Sequence, residues 1–299
     1  MVRLRSFASL ILIIMLTFPV FAGNANTGTV GGAFLKLGNG VRAPAMGEAF
    51  TAVADDASAI YWNPAGIAQL KAQEVSMSYN TYLQSTNYST IHYVAPILPG
   101  QTVGASIFYM GYGDIAETTA TSRVGTGRSF SPSGTIGTIS YAYQVMENLF
   151  IGANFKALNQ SIDSYAENGT GLDFGLLLKD YRGIDIGAVV QNIGSVNGAS
   201  LPQTLKIGIA RKFIDSNLVI AFDANQPKDN NAFLALGGEY QLNPLLKIRA
   251  GYNTKSEEGA GGNFGLGLGL NLSRFTVDYA YVPYGDLGGA HRVGLRVGL

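Results

Sequence analysis

Apolar positions alternate with small or polar ones along almost the whole chain from residue 74 onward. Between 262 and 272, Phe264, Leu266, Leu268, Leu270 and Leu272 share one face, while Gly265, Gly267, Gly269 and Asn271 share the other. Likewise Leu246, Ile248, Ala250 and Tyr252 oppose Lys247, Arg249, Gly251 and Asn253, and Val293, Leu295, Val297 and Leu299 oppose Arg292, Gly294, Arg296 and Gly298. A period of two belongs to β-strands, whose successive side chains point to opposite faces. The pattern predicts fourteen strands, near 74–83, 88–96, 101–111, 134–145, 149–159, 169–179, 184–193, 203–211, 217–225, 231–242, 245–253, 262–272, 274–282 and 291–299. Strands of this length cross a bilayer at a tilt.

The connections alternate between long and short. In order they read LQSTN, ILPG, the run from Tyr112 to Ser133, MEN, QSIDSYAEN, DYRG, GSVNGASLP, FIDS, QPKDN, NP, TKSEEGAG, a tight turn at Ser273, and PYGDLGGA. Outer-membrane barrels show this habit, with short periplasmic turns, longer extracellular loops and an even strand number. The expected fold is all-β, a fourteen-stranded antiparallel transmembrane β-barrel with a short helical N-terminal lumenal plug.

Mid-strand charges say which face is which. An Arg or Lys facing lipid at the midplane costs about 2 to 4 kcal/mol. Lys156, Lys206, Lys247, Arg249, Arg292 and Arg296 are therefore expected to line the lumen, with Asp173, Glu239 and Asp278 on the same inner faces. Glycine between them fits the close approach of another backbone. Tyr82, Tyr88, Tyr112, Tyr240, Phe275, Tyr281 and Tyr284, near strand ends, fit interfacial aromatic girdles.

Residues 33–70 break the period. Small residues cluster there (Ala43, Ala45, Gly47, Ala49), and Asp56 precedes Ala57 to Trp62, where it can cap a short helix by accepting backbone N–H bonds. Asn63-Pro64 then forces an extended residue before Pro64 opens a second short turn, since Pro suits a first helical position and restricts its predecessor. The organisation expected is a plug or hatch segment over 23–73 and a barrel over 74–299. The segment around Asn63 would enter the barrel from the periplasmic side.

Composition agrees with a membrane setting. Charged residues make up 13% of the chain, against about a quarter in a soluble domain. Formal net charge is zero, which gives no basic excess for nucleic acid, and without Cys there is no thiol chemistry or disulfide. Arg3 and Arg5 precede the apolar run Leu10 to Phe21, and small residues follow. Residues 1–22 read as a cleaved signal peptide directing export through the periplasm.

The run GEAFTAVADDASAIYWNPAGIA at 47–68 resembles the N-terminal signature of the PorV/PorQ family, a branch of the FadL-like outer-membrane barrels. Further pieces are similar: Lys156 to Leu176 with its central Tyr165-Ala166, LPQTLKIGIA at 201–210, GGEY at 237–240, and DYAYVPYGDLGGAHRVGL from 278. The resemblance implies residence in the outer membrane of a Gram-negative cell, in contact with its lipid. It also implies a hatch role for Asn63, Pro64, Ala65 and Gly66, which would shift as a small hydrophobic or amphipathic ligand crosses. The alternative implied is a PorV-like component of type IX secretion that shuttles secreted protein cargo to surface attachment.

Enzyme chemistry finds little footing. The glycines of GLGLGL at 265–270 lie inside one alternating strand, whereas a phosphate-binding fingerprint needs a strand-to-helix turn. Ser89 and His92, the pair a lipid hydrolase would need, differ by three positions and project to opposite faces. His291, the other histidine, has no serine nearby, and two isolated imidazoles form no metal site. No cofactor is expected. Asp278 with Arg292 or Arg296, roughly diagonal across neighbouring strands, reads as an ion-pair ladder in the wall, with an anionic headgroup site as the alternative.

Overall fold

The computed structural model describes residues 27–83, 86–255 and 262–299; the expected signal peptide lies outside them. The barrel strands are β1 (Glu74–Thr81), β2 (Asn87–Leu98), β3 (Gln101–Gly111), β4 (Ser133–Met146), β5 (Leu149–Ile162), β6 (Tyr165–Tyr181) and β7 (Ile184–Val196). They continue as β8 (Thr204–Phe213), β9 (Leu218–Pro227), β10 (Phe233–Gln241), β11 (Leu246–Asn253), β12 (Phe264–Leu272), β13 (Phe275–Pro283) and β14 (Gly289–Gly298). Each pairs antiparallel with its sequence neighbours, and β14 closes the ring on β1 with Glu74 opposite Gly298. Fourteen strands thus form one closed wall, and a two-residue ladder, Ala199–Ser200, folds back on β7.

The pleat sorts residues as the alternation predicts. Leu266, Leu268, Ile248, Ile107, Ile139 and Val293 point outward, where lipid would cover them. Of the residues expected in the aromatic girdle, Tyr240, Phe275 and Tyr281 have outward parity, and Tyr79, Tyr109, Tyr141, Tyr252 and Tyr279 are exposed on the outer face as well. Tyr88 departs from expectation. It shares parity with Thr90 and His92, so it points inward and packs on Phe108, with Tyr82 against its edge. Tyr82 also meets Tyr284, and Tyr112 joins the same inner cluster, so these four residues line the mouth rather than the girdle.

Two connections differ from expectation. QSIDSYAEN is not a loop: β5 and β6 continue through it, Ile162 pairing with Tyr165 around a turn at Asp163 and Ser164. Asp163 takes the positive φ of 53° that the turn demands, a conformation Asp tolerates better than most residues. The run from Tyr112 to Ser133 carries its own small hairpin, Ile115–Ala116 on Ser129–Phe130, and Arg128 pairs with Glu117 and with Asp163 of the neighbouring turn.

Residues 31–73 run inside the wall from one rim to the other. Gly31 N donates to Ser200 O at 3.0 Å beside the connection after β7, and Leu299 N donates to Gln73 O at 2.9 Å at the opposite, short-turn rim. Between these ends lie helix α1 (Arg42–Ala45), helix α2 (Ala59–Trp62) and the 3-10 turns Ala33–Lys36 and Pro64–Gln69. Their backbone touches the wall where inward positions are glycine. A Cβ at Gly152 would strike Pro64 and Ala65, one at Gly175 would strike Asn63, one at Gly208 would strike Asp223 and Thr51, and one at Gly251 would strike Met46 and Gly47. Small residues on both sides are what let a chain thread a lumen this narrow.

Candidate functional site

The inner segment meets the wall through different chemistry on its two sides. Toward β4 to β6 the contact is apolar: Ile60, Trp62, Ala65 and Ile67 are fully buried in one cluster with Val94, Ala142, Phe150 and Leu177. Pro64 opens the turn Pro64–Gln69 as the sequence predicts, and Asn63 Oδ1 accepts from Ala65 N at 3.2 Å. The Asn63 amide also donates to Thr51 O at 2.9 Å and to Leu176 O of β6 at 3.1 Å. One carboxamide therefore caps the turn, ties it to the preceding coil and fastens both to the wall. Gly66 lies against the Ala54 carbonyl, where a Cβ has no room.

Toward β10 to β14 the contact carries a closed ring of alternating charge beside a small apolar cluster of Val41, Ala45 and Ala280. Arg42 reaches Glu239 at 2.7 Å and Asp56 at 3.2 Å; Arg249 reaches Glu239 and Asp278 at 2.6 Å each. Arg296 completes it, 3.3 Å from Asp278 and 3.6 Å from Asp56. Lys247 and Asp55 join from outside the ring, on Glu239 and Arg42 respectively. Burial alone would raise the Asp56 carboxyl, but Arg296 and Arg42, with the Ser58 hydroxyl, hold it down to about 2. Burial likewise opposes the Arg42 charge, and Asp55, Glu239 and Asp56 outweigh it. Asp56 also accepts from Ser58 N at 3.0 Å, a turn contact before α2 rather than the helix cap expected of it: Ser58 stands at the N-cap, and no side chain caps the helix.

Arg292 stays out of this ring. It stands on the far side of Asp278 in register, opposite Ala280, where its Nη1 donates to Gly38 O at 2.6 Å and its guanidinium lies over the Tyr88 ring. Of the two expected partners for Asp278, only Arg296 makes the contact. Lys156 and Asp173 pair at 2.8 Å, deep in the wall. A bulge in β7 places Asn192, with φ of 60°, to accept from Lys156 Nζ at 2.7 Å and to donate its own N–H to Asp173 at 2.8 Å.

At the long-loop end a cleft opens above the inner segment. Leu35, Tyr61, Pro202, Pro227 and Phe233 give it apolar surface, Gln191, Asn192, Thr204 and Asn230 add polar groups, and Lys36, Lys206, Lys255 and Glu48 bring charge. Lys206 is buried, with its ammonium 4.7 Å from the Trp62 ring centre and 5.9 Å from that of Tyr61. Among the described residues no carboxylate or hydrogen-bond acceptor meets that ammonium; aromatic faces hold it by cation–π attraction.

His92 is inward and buried, Ser89 lies on the opposite face, and both His92 nitrogens are without a partner among the described residues. His291 faces outward, its Nδ1 2.8 Å from the Tyr279 hydroxyl. Among the described residues no group of His, Asp or Glu is placed to hold a metal ion.

The lumenal charges named from sequence all sit on inner faces, Lys247 and Arg296 only partly buried. Sequence reasoning missed Arg42, whose partner Glu239 is 197 residues away, and Asp223, whose Oδ2 accepts from Phe50 N and Thr51 N. Asp223 could have been found, since it is a mid-strand acid in β9 with the parity of buried Ala221 and Asn225.

A closed antiparallel wall of fourteen strands, apolar outside and charged within, defines the class of transmembrane β-barrels. A family model described as "Uncharacterised protein family (UPF0164)" matches residues 25–164. Among solved structures, the toluene transporter TodX of Pseudomonas putida is similar at TM-score 0.63, with 14% identity over 87% of this chain and 96% of that one. The toluene transporter TbuX of Ralstonia pickettii is similar at 0.61, with 16% identity over 87% and 97%. A FadL homologue of Pseudomonas aeruginosa is similar at 0.58, with 13% identity over 87% and 95%. No curated protein matches the sequence. At these identities the likeness is one of fold.

Proposed function

We propose that this chain resides in the outer membrane, after loss of residues 1–22, and carries small hydrophobic or amphipathic compounds across it. The cleft at the long-loop end is the observation that carries the reading: apolar surface closed below by Tyr61, beside a buried ammonium, Lys206, that rests on aromatic rings and makes no direct ion pair among the described residues. Such a pocket suits a molecule with an apolar body and one polar or anionic end, since few, well-placed polar groups fix orientation in a mostly apolar site. The fold shared with two proteins described as toluene transporters supports the same reading. In it, the inner segment acts as the plug, Asn63 to Gly66 as its anchored turn, and the lumenal charges hold it in place.

The test is native mass spectrometry with lipid extraction on the detergent-purified protein, together with binding of a dansyl-labelled fatty acid. A co-purifying apolar ligand, and dansyl binding weakened about tenfold in Lys206→Met, are the expected results. A cleft that binds neither the dansyl probe nor any extractable lipid would refute the reading.

A second reading, a shuttle for secreted proteins as the PorV/PorQ resemblance implies, is favoured by one feature. The β5–β6 hairpin presents exposed Ile162 and Tyr165 beyond the length a bilayer needs, beside exposed Ile115. A pull-down from the source cells that returns a secreted protein, lost when Tyr165 is changed to Ser, would favour it over transport.

A further inference from the structure

Two of the contacts that fasten the inner segment to the wall, the Asn63 turn on β4 to β6 and the charged ring on β10 to β14, differ in what separating them exposes. On the β4 to β6 side, moving Pro64–Gln69 away would bring Ile60, Trp62 and Ile67 out of a dry cluster and leave the Asn63 amide without Leu176 O. On the β10 to β14 side, moving α1 away would part charged side chains, which water can solvate in place of their partners, and would uncover the less bulky apolar residues Val41, Ala43, Ala45 and Met46. Solvent borders that ring at its edge: the Arg296 side chain is 17% exposed, and Asp55 and Lys247, which join it from outside, are 37% and 21% exposed. Arg249 Nη2, buried within it, has no acceptor among the described residues, so the ring is one bond short even when closed. A small hollow lies beside it between the inner segment and the wall, bordered by Gly40, Arg42, Asp56, Ser76, Asp278 and Gly294.

We propose that the lumen opens at this ionic seam: α1 and the coil to Asp56 part from β10 to β14 while the Asn63 turn stays anchored, so the hatch is the Arg42 side rather than the Asn63 side. This rests on the transport reading for its purpose but not for its test. Charge pairs part at modest net cost where water and counterions replace them, because their attraction largely offsets lost hydration in the first place. Buried apolar surface has no such substitute. Ion conductance through the seam should therefore rise with salt more steeply than bulk conductivity does, as screening weakens its partly exposed members.

The chain contains no cysteine, so an introduced pair forms one defined bridge. A Cβ at Gly294 would stand 3.6 Å from Val41 Cβ, within the span a disulfide bridges and next to Arg42 and Arg296. In planar lipid bilayers, oxidised Val41→Cys/Gly294→Cys protein is expected to lose its openings and regain them with dithiothreitol. Asp278→Asn, which needs no bridge, is expected to raise open probability about tenfold. Openings that persist in the oxidised protein, or an Asp278→Asn channel no more open than the unaltered one, would overturn the proposal. Conductance requires no ligand, so a protein that fails to bind the dansyl probe yet shows these changes would sink the transport reading and leave the seam standing.

Discussion

The Arg42 guanidinium donates two hydrogen bonds to the Glu239 carboxylate, Nε to Oε2 at 2.7 Å and Nη2 to Oε1 at 2.9 Å. Paired, forked contacts of this kind are the strong form of an ion pair, and here they join the threaded segment to the barrel wall. Arg42→Met would leave Glu239 with Arg249 and Lys247, and Asp56 with Arg296 alone. Breaking one member of a buried network typically costs about 3 to 5 kcal/mol, whereas replacing both partners by apolar residues can be close to neutral. Urea unfolding in detergent, followed by Trp62, should show Arg42→Met and Glu239→Leu each strongly destabilising and the double variant much less so than their sum. Trp62 is the single tryptophan and lies in the inner segment, so its fluorescence reports this contact directly.

Glycines on the two faces of the wall should respond differently to the same substitution. Gly251 faces in, and a Cβ there would collide with Met46 and Gly47 backbone; Gly238 faces out, and its nearest such neighbour is the Val219 carbonyl at 3.8 Å. Gly251→Val is expected to expel the inner segment or prevent folding, read as loss of the compact band in unheated gel electrophoresis. Gly238→Val should fold as the unaltered protein does. Equal behaviour of the two would mean the threaded backbone does not lie where it is described.

Asn63 offers a test at the apolar side. Its side chain serves Ala65 N, Thr51 O and Leu176 O at once. Asn63→Leu keeps the volume and strands all three buried groups, each worth roughly 1 to 3 kcal/mol when left unpaired. A loss of about 3 kcal/mol in urea unfolding is expected, without a change in which strands pair.

The strands were legible in the sequence because their physics is local. Alternation fixes both the element and its lumenal face, so Lys156, Arg249 and Asp278 could be assigned inward from the cost of a charge in lipid alone. What was not legible depends on partners far apart in the chain. The ring from Arg42 through Glu239, Arg249, Asp278 and Arg296 to Asp56 joins residues that no local pattern relates. Tyr88 misled for another reason: a tyrosine near a strand end suits a girdle and a lumen equally, and only its parity with His92 separates them. The QSIDSYAEN stretch reads as a loop because most of its residues are polar, yet strands that continue beyond the bilayer into water need no alternating apolar face.

Asp56 gives the ring a definite acid response. Its carboxyl is held near 2 in the folded protein against an ordinary value of 3.8. A carboxyl whose folded value is depressed contributes stability that is fully present above its unfolded value and is lost as the pH falls through the folded one. The window therefore runs from about pH 4 down to about pH 2, and a shift of this size corresponds to roughly 2 kcal/mol. Other carboxylates titrate over the same range, so the informative quantity is a difference. Asp56→Asn should be less stable than the unaltered protein at about pH 6, by roughly the same 2 kcal/mol, and the gap should close as the pH approaches 2. A gap that stays constant with pH would mean that Asp56 acts through its hydrogen bonds to Ser58, which Asn can partly replace, and that its charge contributes little to holding the inner segment in the wall.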